Sequence, residues 1–292
     1  MKTLKIAIPK GSLQEATFAL FGRAGFNIAA NERSYILDID DPELEGIMLR
    51  AQEIASYVER GALGLDAGLT GKDWILENGA KVKEIAELPY AKRSAGRTVR
   101  WVLAVPENSK IRKIEDLNGK HVATELVAVT KKFFASRKIK VSVEFSWGTT
   151  ELKAYTADAI VEVTETGSSL RAHKLREIAT ILESTPRLIA NHNALKDPWK
   201  KKKLQNLSLL LCGALEAEDK VGLKMNLPRK AKDAILTILP SMKNPTVSQL
   251  TDDRWLAVEV VVSEKVVRDL IPRLKEAGAC DIIEYKLTKV ID

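Results

Sequence analysis

The 292-residue chain has few of the residues that most readily declare a chemistry: two cysteines, three histidines and 5% aromatics. Cys212 and Cys280 stand far apart with no metal-type spacing around them, which argues against a disulfide framework or zinc site and leaves two buried small hydrophobes as the expectation. His121, His173 and His192 are equally isolated, so a protein-held transition metal is set aside. The net charge of +7 could point to nucleic acid, and Trp199-Lys-Lys-Lys-Lys203 is the densest basic run. No nucleic-acid motif accompanies it, and we read it as a solvated helix start after Pro198. Long apolar runs are missing as well. The longest, Leu207 to Leu215, falls far short of the ~20 residues of a membrane span. The first, ending at Pro9 and Lys10, is too brief for a signal peptide. No membrane and no nucleic acid are expected as partners, and the expected location is cytoplasmic.

What is present is 45% apolar residues in a chain long enough for two or three domains, the composition of a globular protein. Residues 4–8 read as a strand, 12–24 as a helix, 26–49 as a hairpin-like section and 53–60 as a helix. Alternation of this kind predicts an α/β layered fold with a mainly parallel sheet. After Pro89 a polar, basic stretch, 90–98, precedes the strong strand 100–106, and a crossover between lobes is expected there. A helix at 130–136 and a strand at 141–145 belong to the second lobe, and around Ser184 to Ile189 the chain returns to the first. The expected boundaries are 1–95 plus 184–214 for lobe I, 96–183 for lobe II and 215–292 for a third domain. That last part spells βαββαβ, a ferredoxin-like order.

The most specific segment is Asp158-Ala-Ile-Val-Glu-Val-Thr-Glu-Thr-Gly-Ser-Ser-Leu170. Residues 159–163 are a β-branched run suited to a buried parallel strand, and 170–178 carry helix formers with apolar residues at 170, 175 and 178. Gly167 lets backbone approach a ligand, while Thr166, Ser168 and Ser169 add hydroxyls beside the amides of a first helical turn. Such a loop suits a phosphate monoester. Glu162 and Glu165 would repel a bare anion unless they meet sugar hydroxyls or a magnesium ion, so the combination points to a ribose 5-phosphate. A capped helix start, with Thr166 or Ser168 as N-cap, explains the small residues equally well.

Other strand ends offer weaker signals. Lys10, Gly11 and Ser12 open the first helix after the first strand, and Arg50 precedes the second helix, where a guanidinium can grip a pyrophosphate. Glycines at 64, 68 and 71 bracket a short strand that delivers Thr70 and Gly71 to its carboxyl end, with Asp66 nearby. Glu125 ends another strand. Ligands of open α/β sheets lie outside such ends, so four of them in two lobes favour a cleft between the lobes.

Taken in order, Ile8-Pro-Lys-Gly-Ser-Leu13, Arg50-Ala-Gln-Glu-Ile54, Leu69-Thr-Gly-Lys-Asp73, residues 100–106, Ala123-Thr-Glu125, 158–170 and 183–191 resemble the ATP phosphoribosyltransferase family. Asn244-Pro-Thr-Val-Ser248 and residues 257–262 resemble the regulatory domain of its long form. The resemblance implies two lobes of the type II periplasmic-binding-protein kind and a histidine-binding third domain. It implies transfer of phosphoribosyl from 5-phosphoribosyl 1-pyrophosphate to ATP with Mg2+, the first step of histidine biosynthesis, feedback inhibition by L-histidine, and assembly as dimers and hexamers. Glu162 matches the acidic position for the ribose hydroxyls and Glu165 to Leu170 the 5-phosphate loop. Lys10 and Arg50 would face pyrophosphate or ATP phosphates, with Gly11, Ser12, Asp66, Thr70, Gly71 and Glu125 near them. Magnesium would ride on the substrate phosphates. Asn226, Thr246, Ser248 and Ala279 fall near the positions for histidine.

Two residues depart from the family's pattern: His173 stands where asparagine is common, and Glu162 replaces the more frequent aspartate. A non-catalytic two-lobed small-molecule-binding protein and an inactive regulatory paralogue are the competing readings.

Overall fold

A computed structural model describes residues 2–30, 34–90, 98–240 and 244–291. The chain divides into two compact units, Met1–Ser208 and Leu209–Asp292. The first begins with Leu4–Lys10 (β1), Gln14–Ala24 (α1), Ile28–Ala30 (β2), Ile36–Ile39 (β3), Leu44–Arg50 (β4), Ala51–Arg60 (α2), Ala67–Gly71 (β5), Lys72–Asn78 (α3) and Lys83–Glu87 (β6). It continues with Val99–Pro106 (β7), Lys120–Thr124 (β8), Val127–Ser136 (α4), Val141–Phe145 (β9), Thr150–Lys153 (α5), Ala159–Thr164 (β10), Ser168–Ala172 (α6) and Leu175–Ser184 (β11). Pro186–Ala190 (β12) and Pro198–Glu216 (α7) follow; the division between the units falls within α7, earlier than the expected 214. Residues 91–97, which carry the expected crossover and the 95/96 boundary, lie outside the described residues.

The first unit holds two sheets, β2-β3-β4-β1-β5-β12-β6 and β11-β7-β10-β8-β9. In each, three parallel strands (β4, β1, β5; β9, β8, β10) are followed by one antiparallel strand that arrives from the other lobe, β12 in the first sheet and β7 in the second. The shared order is the type II periplasmic-binding-protein arrangement of two lobes joined by crossing strands. β11 ends at Ser184 in one sheet and β12 begins at Pro186 in the other, so a single residue, Thr185, spans that crossing. Residues 175–178 are a correction: they were expected to continue a helix, but α6 ends at Ala172 and they open a strand. Lys174 turns the chain at φ 53°, and the segment after it pairs antiparallel with β7, a sheet partner that local helix propensity cannot see.

Both lobes bury apolar residues where helices meet parallel strands. Ala7, Ile54, Val58 and Ile189 form one cluster between α2 and the first sheet. β7 sends Trp101, Leu103 and Val105 to one core and Val102 and Ala104 to another, as a strand covered on both faces must. α2 approaches β5 so closely that a Cβ on Gly68 would lie 2.6 Å from Ile54 Cγ2. Gly68→Ala is therefore expected to cost about 2–3 kcal/mol by overpacking, read as a lower urea midpoint with unchanged slope.

The basic run is neither free nor wholly solvated. Asp197 accepts the amides of Trp199 and Lys200 at 2.8 and 3.2 Å, capping α7 with Pro198 in the first turn. Lys200 then pairs with Asp66, and Lys203 with Asp41 and Glu43, each at 2.7 Å. Among the described residues no helix is long and apolar enough to cross a membrane. The cysteines are a further correction: Cys212 is exposed and Cys280 half-buried, because α7 turns one outward and the last strand, Cys280–Lys286, holds the other at a sheet edge.

The second unit comprises Lys220–Pro228 (β13), Lys232–Ile238 (α8), Thr246–Gln249 (β14), Trp255–Ser263 (β15), Glu264–Glu276 (α9) and Cys280–Lys286 (β16). Its antiparallel sheet runs β14-β15-β13-β16, the order a βαββαβ chain produces when each helix crosses one strand. Alternate residues of β13 and β15, from Val221 to Leu227 and Leu256 to Val262, pack with Ile235, Val267, Leu270 and Leu274 of the two helices.

Candidate active site

The carboxyl ends of the parallel strands in the two sheets of the first unit converge on a cleft of 640 Å³. On the first sheet's side, the parallel register of β1 and β4 sets Lys10 directly opposite Arg50. Both side chains are exposed and line the cleft with Gly11 and Ser12. The Lys10 ammonium stands 4.9 Å from the centroid of the Tyr35 ring. Arg50 occupies the N-cap position of α2 without a side-chain cap, so its charge adds to the positive end of the helix.

The second sheet presents acids at the corresponding place. Val161 pairs with Thr124; Glu125 follows the end of β8, while Glu162, the next residue of β10, stays in the sheet opposite Val102 of β7. Glu125 and Glu165 line the cleft. Burial pushes the Glu162 carboxyl up to about 7; the Val163 amide donating to it at 2.9 Å opposes this, and the nearby charges of Glu151 and Glu125 reinforce it. Burial also raises Glu125, against a hydrogen bond from Gln52, which reaches over from the first turn of α2. Two sheets with one strand order thus end in opposite charge.

The loop after β10 is held by its own hydroxyls. Gly167 takes the N-cap position of α6 at φ 72° and donates its amide to Thr164 Oγ1 at 2.8 Å. No side chain caps α6, so neither Thr166 nor Ser168 has the capping role that the sequence left open. Thr166 Oγ1 instead donates to Ser168 Oγ at 3.1 Å, and the Arg171 guanidinium donates to the Thr166 carbonyl at 3.1 Å. Ser169 gives its hydroxyl proton to the Glu151 carboxylate, and its carbonyl lies 2.9 Å from His173 Nδ1. Glu165, Thr166, Ser168 and Ser169 are exposed.

Three expected ligand positions need correction. Leu170 is buried among Val102, Ala104 and Ala123, so it anchors the loop and presents no side chain to a ligand. Asp66 precedes β5 at the amino end of that strand, away from the carboxyl ends, where it binds Lys200 and accepts the Lys5 amide at 3.1 Å. Thr70 is fully buried and donates to the Ala51 carbonyl at 2.7 Å, fixing the start of α2. Gly71, by contrast, does reach the cleft.

Sequence reasoning assigned no role to Asp73, Trp101, Gln52 or Glu151. Asp73 is 5% exposed and lines the cleft. Its carboxylate accepts the indole N–H of Trp101 at 2.7 Å and the Trp74 amide at 3.0 Å, while its own amide donates to Ser184 Oγ at 3.1 Å. Burial raises this carboxyl, and hydrogen bonds to it from Trp101, the Ser184 hydroxyl and the backbone amides of Trp74 and Asp73 hold it back. Glu77, further along α3, accepts the Ala128 and Val129 amides at the start of α4 at 2.9 and 3.0 Å. An acid in a first helical turn reads from sequence as an ordinary dipole partner. Only the fold brings Trp101 and α4 from the other lobe.

In the second unit, Ser248 pairs with Ala257, Ala257 with Asn226, and Asn226 with Cys280. Asn226, Ser248 and the residue after Ala279 thus form one row across the sheet. Asn226 donates to Asp281 at 2.9 Å; Thr246 lies two residues along the edge strand, opposite Glu259, and Ala279 is buried.

The profile described as ATP phosphoribosyltransferase matches residues 50–213, and that described as HisG, C-terminal domain matches 217–289. An ATP phosphoribosyltransferase from Chlorobium luteolum is 57% identical over 292 residues, spanning 100% of this chain and 98% of its own length. One from Thermodesulfovibrio yellowstonii is 57% identical over 291 residues, spanning 99% of each. Among solved structures, the ATP phosphoribosyl transferase (HisG:HisZ) complex from Thermotoga maritima aligns at 25% identity and a TM-score of 0.60, over 72% of this chain and 98% of that one.

Proposed function

The chain belongs to the ATP phosphoribosyltransferase family, pentosyltransferases of the first step of histidine biosynthesis, and from that membership we propose how its cleft performs the transfer. The substrates are ATP and 5-phosphoribosyl 1-pyrophosphate, and the products N1-(5-phosphoribosyl)-ATP and pyrophosphate. The observation that carries the proposal is the opposition of charge across the cleft, Lys10 and Arg50 lining it from one sheet and Glu125 and Glu165 from the other, with Glu162 two residues before the end of β10. Displacement at the anomeric carbon builds positive charge on the sugar and negative charge on the departing pyrophosphate. A site complementary to that state places carboxylates by the ribose and cations by the leaving group.

Glu162 accepts the ribose hydroxyls, the loop 165–169 receives the 5-phosphate, and Lys10 and Arg50 hold the pyrophosphate. Among the described residues no group of three or more His, Cys, Asp or Glu side chains is placed to hold a metal. Magnesium enters the proposal as part of the substrate complex, where it offsets charge on the pyrophosphate. Adenine N1 is largely unprotonated at neutral pH, so no protein base is assigned.

Histidine is proposed to bind the second unit along the row of Asn226 and Ser248, beside Thr246 and Ala279, and to inhibit by shifting an equilibrium of a dimeric or hexameric cytoplasmic enzyme. One assay tests these points. Full-length protein with magnesium, ATP and 5-phosphoribosyl 1-pyrophosphate is expected to release pyrophosphate and form an adduct absorbing beyond the adenine band, and added histidine is expected to slow both. Absence of pyrophosphate release would end the catalytic proposal; release indifferent to histidine would end the regulatory one.

A further inference from the structure

Counting hydroxyl protons in the loop 164–170 separates residues that can serve a phosphate from residues that cannot. A serine or threonine has one proton to give. Thr166 gives its proton to Ser168, and Ser169 gives its proton to Glu151. Ser168 keeps its own for a ligand, while Ser169, held as it is here, has none to offer. The Gly167 amide is likewise engaged, by Thr164.

Glu151 stands on a firm base. It follows Thr149, which turns the chain at φ 49°, and Thr150, which is 1% exposed and donates to Ser146 Oγ at 2.9 Å. Ser169, by contrast, is an exposed residue in the first turn of the five-residue α6. A carboxylate beside an expected phosphate would only repel it, unless it does something for the loop.

We propose that Glu151 is a positioning residue: its carboxylate holds the Ser169 hydroxyl as a strut, fixing the loop in the form that receives the 5-phosphate, and Ser168 supplies the hydroxyl donor. The proposal rests on the reading of 165–169 as the phosphate loop. The state of Glu151 agrees with it, since burial works to raise this carboxyl, yet the hydrogen bond from Ser169, with smaller help from its own backbone amide and from His173, holds it below the ordinary glutamate value.

The test is a double-mutant cycle read as KM for 5-phosphoribosyl 1-pyrophosphate, KM for ATP and kcat. Glu151→Ala and Ser169→Ala are each expected to raise the first KM about tenfold, to leave the ATP KM and kcat within about twofold, and together to do no more than either alone. Glu151→Gln keeps an acceptor oxygen and is expected to restore KM to within about threefold of the parent. Ser168→Ala, as the control, is expected to add its full effect to Glu151→Ala. Additive losses for Glu151 and Ser169, or a glutamine variant as impaired as the alanine one, would overturn the strut while leaving the phosphate loop intact. A parent enzyme that does not turn over 5-phosphoribosyl 1-pyrophosphate would overturn both.

Discussion

Glu162→Gln is expected to lower kcat/KM by about a hundredfold and, at the same time, to raise the melting temperature above neutral pH. Both effects come from one desolvated carboxyl. In the folded chain Glu162 titrates at about 7, against an ordinary value of 4.5 in the unfolded chain. Between those values the folded state keeps a proton that the unfolded state has released, so stability falls as pH rises. The contribution is fully present below 4.5 and lost once pH has passed about 7. Glutamine does not ionise, so the gap in melting temperature between variant and parent should open across that window and level off above it.

Activity runs in the opposite direction. If the ionised carboxylate accepts the ribose hydroxyls, kcat/KM of the parent rises with pH through about 7. In the glutamine variant that rise should vanish, leaving only the limb of the substrate's own 5-phosphate near pH ~6. Thermal melts and pH profiles of both proteins decide the matter. A flat parent profile across neutrality, or a variant with full activity, would remove Glu162 from the mechanism.

Asp73→Ala is expected to cost about 3 kcal/mol of stability and to raise KM for both substrates. The carboxylate is the acceptor for the indole of Trp101, which is 2% exposed, and for the Trp74 amide. Removing it strands two donors away from water. Because the bond to Trp101 runs from α3 after the first sheet to β7 in the second, its loss also loosens the placement of one cleft wall against the other. The edge-to-face contact of Trp74 and Trp101, with centroids 6.0 Å apart, and the Glu77 bonds to α4 make the same crossing and should keep the variant folded. Urea denaturation and steady-state kinetics check the two halves. An unchanged midpoint would mean that Trp101 finds another acceptor.

Much of this molecule can be read from its residues in order. Strand–loop–helix rhythm, the glycine and hydroxyl residues of 166–169 and the βαββαβ spacing of the last part are local patterns, because backbone preference and side-chain period act over a few residues. Those patterns placed Lys10, Arg50 and Glu125 at strand ends, and the structure brings them to one cleft. They misled where a distant partner decided the outcome. Residues 175–178 have helix-forming composition but find β7, and Asp66 resembles a ligand acid but is bound by Lys200, 134 residues away.

The sequence alone thus determined the strand–helix rhythm of most of the chain, which loop gathers hydroxyl residues around a glycine and which family the chain resembles. Tertiary structure decided that Lys10 faces Arg50 in register and that Glu162, near the end of β10, is brought beside Glu125. It decided, too, that Asp73 spends its carboxylate on Trp101 and that Ser169 gives its proton to Glu151. Each depends on residues far apart in the chain meeting in the folded unit. There a neighbouring charge or a single available proton carries weight that no local pattern encodes.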